Sequence, residues 1–271
     1  MATVYLLGHP VAHSLSPAMH NAAFAALGLP HHYETRDVES ERLGDFVDAL
    51  RNDDVLGANV TIPHKERVLR YVDEAGKDAR RVSAVNTIVR RGARLTGENT
   101  DVYGFEHAIS TAPGKLFAGG TVLLLGAGGA GRACALVLLE RGNEVQVASR
   151  TRARAEQLAA GIEVDGRRPT AVRWPTSGDL AAVDGVVNAT PLGLHGEDPL
   201  AGMELHERLR IVDLVPTAQV TPLVKRARAV KNGVVVDGLS MLLYQAARSF
   251  TLWTGREAPL AVMRAALPRA T

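Results

Sequence analysis

The sequence predicts an α/β protein built in two parts, and three observations carry that reading. Strand-like and helical stretches alternate from Val4 to the middle sixties. The stretch Thr121-Val-Leu-Leu-Leu-Gly126-Ala-Gly128-Gly-Ala-Gly131-Arg132 then runs an apolar strand through a glycine-rich turn into an apolar helix. Behind it strands recur at 121–125, 144–148, 170–174, 185–189, 210–214 and 234–237. Six strands after such a turn make a doubly wound parallel sheet with its ligand crevice where the strand order reverses.

The turn carries G-x-G-x-x-G between a strand and a helix, the context in which the pattern has a mechanism. Gly126 permits the tight turn, Gly128 lets a pyrophosphate approach the backbone, and Gly131 lets helix and strand pack closely. The anion then rests on unpaired amide groups at the positive end of the helix. The second part is therefore expected to be a Rossmann domain.

Taken in order, Val4 to Gly8 forms a strand, and Ala18 to Leu27 a helix that stops at Gly28 with Pro30 beyond. Ser16 ahead of Pro17 suits a helix cap. A strand over Tyr33 to Val38 precedes a helix capped by Ser40, with Leu43, Phe46, Val47 and Leu50 at helical spacing. Gly57 to Pro63 is a third strand, after which Lys65 begins a helix. This alternation implies parallel pairing. Residues 84–89 and 94–97 then flank Arg91-Gly92-Ala93 as a hairpin. Asn99 or Thr100 caps the next helix. Helices at about 239–254 and 258–267 lie beyond the sixth Rossmann strand and are free to return to the first domain. The division is 1–101, completed by 239–271, and 102–238.

Composition narrows the class. At 271 residues the chain can bury a full core. Its net charge of +2 gives no reason to expect nucleic acid or an anionic membrane as partner. Cys134 is the single cysteine, which excludes an intrachain disulfide and a cysteine-based zinc site, and no metal is expected. No run has the apolar length of a membrane span, and the N-terminus lacks the pattern of a secretory signal, so a cytoplasmic protein is expected. A monomer or homodimer is anticipated. Lysines are few, at positions 65, 77, 115, 225 and 231, so each position is informative.

The second Rossmann strand ends in Ala148-Ser149-Arg150, without the carboxylate that accepts from the ribose hydroxyls of NAD. Arg150, Arg152 and Arg154 instead crowd a helix start, where the macrodipole disfavours cations by about 0.3–1 kcal/mol. A 2′-phosphate would neutralise them. Charge-assisted contacts are worth roughly 1.5–3 kcal/mol each. Two would favour NADP over NAD by about a hundredfold or more.

Polar residues also stand where a core pattern calls for apolar ones. Ser14 and Ser16 sit in the loop before the first helix. Asn59 and Thr61 alternate onto one face at the C-terminal end of a strand, and Asn86 interrupts an apolar one. Lys65 and Asp101 alone would pass for a solvated lysine and a first-turn acid.

Together these stretches resemble the shikimate dehydrogenase family along the whole chain. The matching motifs are His13-Ser-Leu-Ser-Pro17, Ala58-Asn-Val-Thr-Ile-Pro-His-Lys65, Ala84-Val-Asn-Thr87 and Asn99-Thr-Asp101. They continue in Gly126 to Arg132, Ser149-Arg-Thr151 with Arg154, Asn188-Ala-Thr190 and Gly238-Leu-Ser-Met-Leu-Leu-Tyr-Gln245. The resemblance implies reversible NADP-linked interconversion of shikimate and 3-dehydroshikimate, a step of aromatic amino-acid biosynthesis. It implies catalytic roles for Lys65 and Asp101, and substrate contacts at Ser14, Ser16, Asn59, Thr61, Asn86 and Gln245. It also implies cofactor contacts at Gly126, Ala127, Gly128, Gly129, Ala130, Gly131, Ser149, Arg150, Thr151, Arg154, Asn188, Thr190, Leu214 and Gly238. The first domain would then bind substrate and the second NADP.

The residue types suit a substrate with one carboxylate and three hydroxyls. Reducing the ketone places negative charge on its oxygen, which a protonated Lys65 would stabilise and protonate. The residues leave the formal base as either Lys65 or Asp101. Two positions depart from the family pattern: Pro216 stands where a tyrosine usually helps hold the substrate carboxylate, and Ser149 where asparagine is usual. The first keeps open a quinate/shikimate paralogue of broader specificity. A non-catalytic NADP-binding regulatory homologue is a further alternative, against which Lys65 and Asp101 both speak.

Overall fold

The computed structural model describes residues 1–114, 116–230 and 234–268. Lys115, Lys231 and the last three residues of the segment expected to complete the first domain lie outside them. The chain divides into two units, Met1–Gly104 with Leu242–Pro268, and Phe105–Met241.

The first unit is a mixed sheet built from β1 (Ala2–Gly8), β2 (His31–Asp37), β3 (Val55–Val60), β4 (Glu74–Ala75), β5 (Thr87–Arg91) and β6 (Arg94–Glu98). Their order across the sheet is β2-β1-β3-β5-β6-β4. The strands β2, β1 and β3 run parallel, as the early alternation implies, and β5 pairs antiparallel with both β3 and β6. Its helices are α1 (Ser16–Ala26), α2 (Leu43–Ala49), α3 (Lys77–Val82) and the start of α4 (Thr100–Ser110). Side chains alternate across the pleat and feed two cores. Val4, Leu6 and Val89 pack with Met19 and Phe24 of α1, while Leu7, Ile88 and Ala58 pack with Leu43 and Val47 of α2. Fully burying each of the larger side chains among these contributes roughly 1.5–3 kcal/mol.

The second unit is a fully parallel sheet of β7 (Thr121–Leu125), β8 (Glu144–Ala148), β9 (Thr170–Val172), β10 (Gly185–Asn188), β11 (Arg210–Asp213) and β12 (Val235–Asp237). The helices α5 (Gly129–Glu140), α6 (Arg152–Gly161), α7 (Ser177–Leu180) and α8 (Pro222–Ala229) connect them. The order β12-β11-β10-β7-β8-β9 reverses at β7, which makes this a doubly wound Rossmann sheet. The last helices, α9 (Gly238–Thr254) and α10 (Leu260–Ala265), supply Leu243, Phe250, Trp253 and Met263 to the α1 side of the first unit's core.

Four local expectations need correction. Ser16 is the first residue of α1 and caps nothing; Leu15 already has helical backbone angles, which starts the turn one residue early. Ser40 likewise lies inside a 3-10 turn, Ser40–Arg42, that begins from Glu39 without a side-chain cap. Lys65 does not begin a helix: its carbonyl accepts from Val85 N–H at 2.7 Å, and a 3-10 segment starts only at Arg67. Asn86 precedes β5 and does not interrupt a strand. Ala84 and Val85 spend their N–H groups on Ala79 and Lys65, so the strand expected from Ala84 is delayed; Asn86 donates its N–H to Glu98 O and accepts from Val60 N–H at the very edge of β5.

Candidate active site

In the first unit a chain of buried polar groups runs between β3, β5, α4 and α9. Asn99 caps α4, its Oδ1 accepting from Val102 N–H at 3.2 Å while its Nδ2 donates to Ala84 O. The cap sets Asp101 in the first turn, where the positive helix end favours a carboxylate. Lys65 Nζ donates to Asp101 Oδ2 at 2.6 Å, and Asn86 Nδ2 donates to Oδ1 at 2.9 Å. The pair is largely withdrawn from water, with side chains 14% and 4% exposed. Buried ions need such added hydrogen bonds to offset desolvation. Only one of the three ammonium N–H groups is needed for Asp101, so the others can serve a ligand oxygen.

The orientation of Asn86 is fixed by a backbone group. Thr100 N–H, which can only donate, lies 2.7 Å from Asn86 Oδ1, so the NH2 end must face Asp101 and Thr100 Oγ1. Gln245 on α9 joins through Oε1, 3.3 Å from Asn86 Nδ2, and anchors its own Nε2 on Leu242 O. Asn59 Nδ2 donates to Asn86 O and reaches the hydroxyls of Thr87 and Ser249, so its two N–H groups are taken up within the chain. Its Oδ1 accepts from the Tyr33 phenol at 2.8 Å. Burial pushes the Tyr33 phenol far above the usual tyrosine range, which keeps it a neutral donor.

Lys65, Asp101, Asn86, Asn59 and Gln245 thus form one bonded set. Ser14 and Ser16 lie at the start of α1, where Ser14 Oγ accepts from Ser16 N–H at 3.2 Å and keeps its own hydrogen free for another acceptor. Ser16 is buried with its hydroxyl toward Tyr33. Thr61 falls just past β3 and is held by its N–H on Leu7 O. Tyr33, Thr87 and Ser249 were not legible as members of this set; their partners are as much as 190 residues away in sequence.

In the second unit the fourteen residues assigned to the cofactor all lie at the C-terminal ends of parallel strands. Gly126 to Gly131 follow β7; Ser149, Arg150, Thr151 and Arg154 follow β8; Asn188 ends β10 and Thr190 follows it; Leu214 follows β11 and Gly238 follows β12. Gly126 has φ +106°, and a Cβ on Gly131 would sit 2.2 Å from Gly126 O, so both must be glycine. A Cβ on Gly128 would meet nothing within 4 Å, which leaves its face open to a ligand. The first helical bond of α5 runs from Arg132 N–H to Gly128 O, so the preceding amides are available to an anion. The end of β12 also packs tightly: a Cβ on Gly238 would lie 2.5 Å from Val215 O.

Arg152 is committed to Glu156 at 2.8 Å, whereas Arg150 is exposed with no ion-pair partner among the described residues. No carboxylate stands at the end of β8. An open pyrophosphate turn with an arginine at the ribose position fits NADP. Asn188 shapes the neighbouring loop, its Oδ1 accepting from Thr190 and its Nδ2 donating to Leu192 O and Asp213 Oδ1. Burial raises the Asp213 pKa, while hydrogen bonds from Thr221, Val215 and Asn188 oppose the rise.

These features define a two-unit α/β protein with a dinucleotide-binding sheet and a buried lysine–aspartate site. Residues 6–88 match the profile of the shikimate dehydrogenase substrate binding domain, and residues 238–267 that of the shikimate 5'-dehydrogenase C-terminal domain. The shikimate dehydrogenase (NADP(+)) of Methanothermobacter thermautotrophicus is 40% identical over 275 residues, covering 97% of this chain and 95% of that one. Among solved structures, shikimate 5-dehydrogenase from Thermus thermophilus, in complex with NADP(H) and shikimate, superposes with TM-score 0.85 at 39% identity, covering 98% of each chain. Quinate dehydrogenase from Corynebacterium glutamicum, in complex with NAD, superposes with TM-score 0.88 at 33% identity, covering 98% of this chain and 97% of that one. The chain belongs to the shikimate dehydrogenase family.

Proposed function

We propose that this chain catalyses the reversible NADP-dependent reduction of 3-dehydroshikimate to shikimate, in the cytoplasm, as a monomer or homodimer. The observation that carries the reading is the Lys65–Asp101 pair at 2.6 Å, with Asn86 on the second carboxylate oxygen, in a chain of this family.

NADPH, when bound, supplies the hydride. Lys65 stabilises the charge that develops on the ketone oxygen and delivers a proton to it. Asp101 holds the ammonium in place, and Asn86 holds Asp101. Ser14 directs its free hydroxyl hydrogen to the substrate carboxylate, with Ser16 beside it. Thr61, Asn86, Asp101 and Gln245 face the ring hydroxyls, and Asn59 contributes by fixing Asn86. On the second unit, the Gly126–Gly131 turn receives the pyrophosphate and Arg150 with Arg154 the 2′-phosphate. In the reverse reaction, a Lys65–Asp101 unit accepts the hydroxyl proton.

A second reading, broader use of quinate, is favoured by Pro216. It lies exposed after β11 and has no N–H to offer where the family usually places a tyrosine. Initial rates with shikimate and with quinate, each against NADP and NAD, separate the two. Turnover of shikimate with NADP well above every other combination is expected. No turnover of shikimate with either cofactor would sink the main reading.

A further inference from the structure

Tyr33 is the far end of the polar chain that reaches Asp101. Its ring is 1% exposed and stacks on His20, centroids 4.4 Å apart and planes 13° from parallel, with Trp253 tilted beside both. The directions of the amide bonds that follow are dictated by groups that can play one role only. The carbonyl of Asn86 can only accept, so the Asn59 atom 3.1 Å from it is the NH2 nitrogen. The atom of Asn59 facing the phenol is then Oδ1, and Tyr33 must donate to it. Asn59 in turn donates to Thr87 Oγ1 at 3.0 Å, and the Thr87, Thr100 and Ser249 hydroxyls lie within 2.8–3.2 Å of one another. Thr87 and Thr100 both approach Asn86 Oδ1, and Asn86 donates to Asp101.

From this geometry we infer that Tyr33 is a positioning residue for the reaction: its phenol orients Asn59, which clamps Asn86 and through it the Asp101 carboxylate that holds Lys65. The inference rests on the proposed shikimate dehydrogenase reading for its kinetic consequence, but the structural coupling stands apart from the substrate. Without the phenol, Asn59 Oδ1 is buried with no donor among the described residues. The amide then has reason to leave its place against Asn86 and the hydroxyl cluster.

Tyr33→Phe keeps the ring on His20 and removes the hydroxyl, which is the donor to Asn59 and the group that the Ser16 hydroxyl faces. Phe24→Leu perturbs the same apolar cluster without touching the polar chain. Both variants and the unmodified protein are compared by steady-state kinetics with shikimate and NADP, and by nitrogen-15 NMR of the Asn59 and Asn86 side-chain amides. Tyr33→Phe is expected to lower kcat about tenfold, the scale of one net hydrogen bond, with KM for NADP unchanged. It is also expected to shift the Asn86 amide signal. Phe24→Leu is expected to lower Tm and leave kcat and that signal unchanged.

An unmoved Asn86 signal in Tyr33→Phe overturns the inference, whether or not shikimate is turned over. So does unchanged kcat in a protein that does turn over shikimate, an equal fall of kcat in Phe24→Leu, or loss of NADP saturation in Tyr33→Phe. Failure of the unmodified protein to turn over shikimate, with the Asn86 signal shifted in Tyr33→Phe, overturns the proposed function and leaves the positioning chain standing.

Discussion

Lys65 and Asp101 come from separate stretches of chain and meet at 2.6 Å because each backbone is pinned independently. Lys65 is fixed through its carbonyl on Val85 N–H, and Asp101 by the Asn99 cap of α4. An ammonium held this way needs no reorganisation when charge appears on a neighbouring oxygen. Lys65→Ala should lower kcat by about 10²–10⁴-fold, the usual scale for a general acid–base group. Initial rates at saturating shikimate and NADP test this, and an unchanged rate would remove Lys65 from the chemistry.

Cofactor choice turns on the end of β8. Arg152 pairs with Glu156, and Arg150 and Arg154 are the two arginines proposed to meet the 2′-phosphate. The double substitution Arg150→Ala with Arg154→Ala should raise KM for NADP by about a hundredfold, from two charge-assisted bonds. KM for NAD should move far less, since NAD has no 2′-phosphate to lose. Equal effects on the two cofactors would show that these arginines do not read the phosphate.

Much of this arrangement is legible in the sequence because its signals are local. The glycine turn, the strand rhythm after Thr121 and the arginines past Ser149 each depend on residues within one βαβ unit. The polar site reads less well, because its geometry depends on distant partners. Asn59 takes its orientation from Tyr33, Asn86 and Ser249, and nothing in its own neighbourhood announces any of them. Lys65 resembles a helix start until Val85 takes its carbonyl. Ser16 resembles a cap until Leu15 begins the turn. Hydrogen-bond competition between remote segments leaves no periodicity to detect.

His20 gives a pH-dependent prediction. Neither ring nitrogen has a hydrogen-bond partner among the described residues, and burial lowers its pKa from 6.5 to about 3. Below pH 6.5 the unfolded chain binds a proton there that the folded protein refuses, so stability falls as pH drops from 6.5 toward 3. The loss is about 1.4 kcal/mol per pH unit across that window. His20→Phe keeps an aromatic ring against Tyr33 and removes the titrating group. Its Tm should exceed that of the unmodified protein, and the gap should widen between pH 7 and about pH 5. Thermal melts at both pH values decide the matter; a gap that stays constant would mean His20 is protonated or solvated in the folded state.

Thr221 performs two tasks with one hydroxyl. It donates to Asp213 Oδ2 at 2.6 Å, and the same oxygen accepts from Val224 N–H at 3.2 Å as the cap of α8. Asp213 is nearly inaccessible, so its carboxylate depends on Thr221, Asn188 and Val215 for donors. Thr221→Val preserves the shape and removes both bonds. It leaves a buried carboxylate oxygen with no donor and a helix end without its cap. The expected cost is about 2–4 kcal/mol, combining a lost cap with an unsatisfied buried charge. Asp213 also holds Asn188, whose Oδ1 fixes the Thr190 loop, so KM for NADP should rise while KM for shikimate stays put. Urea denaturation followed by steady-state kinetics tests both halves. Stability lost without any change in NADP saturation would confine Asp213 to folding and detach it from the cofactor loop.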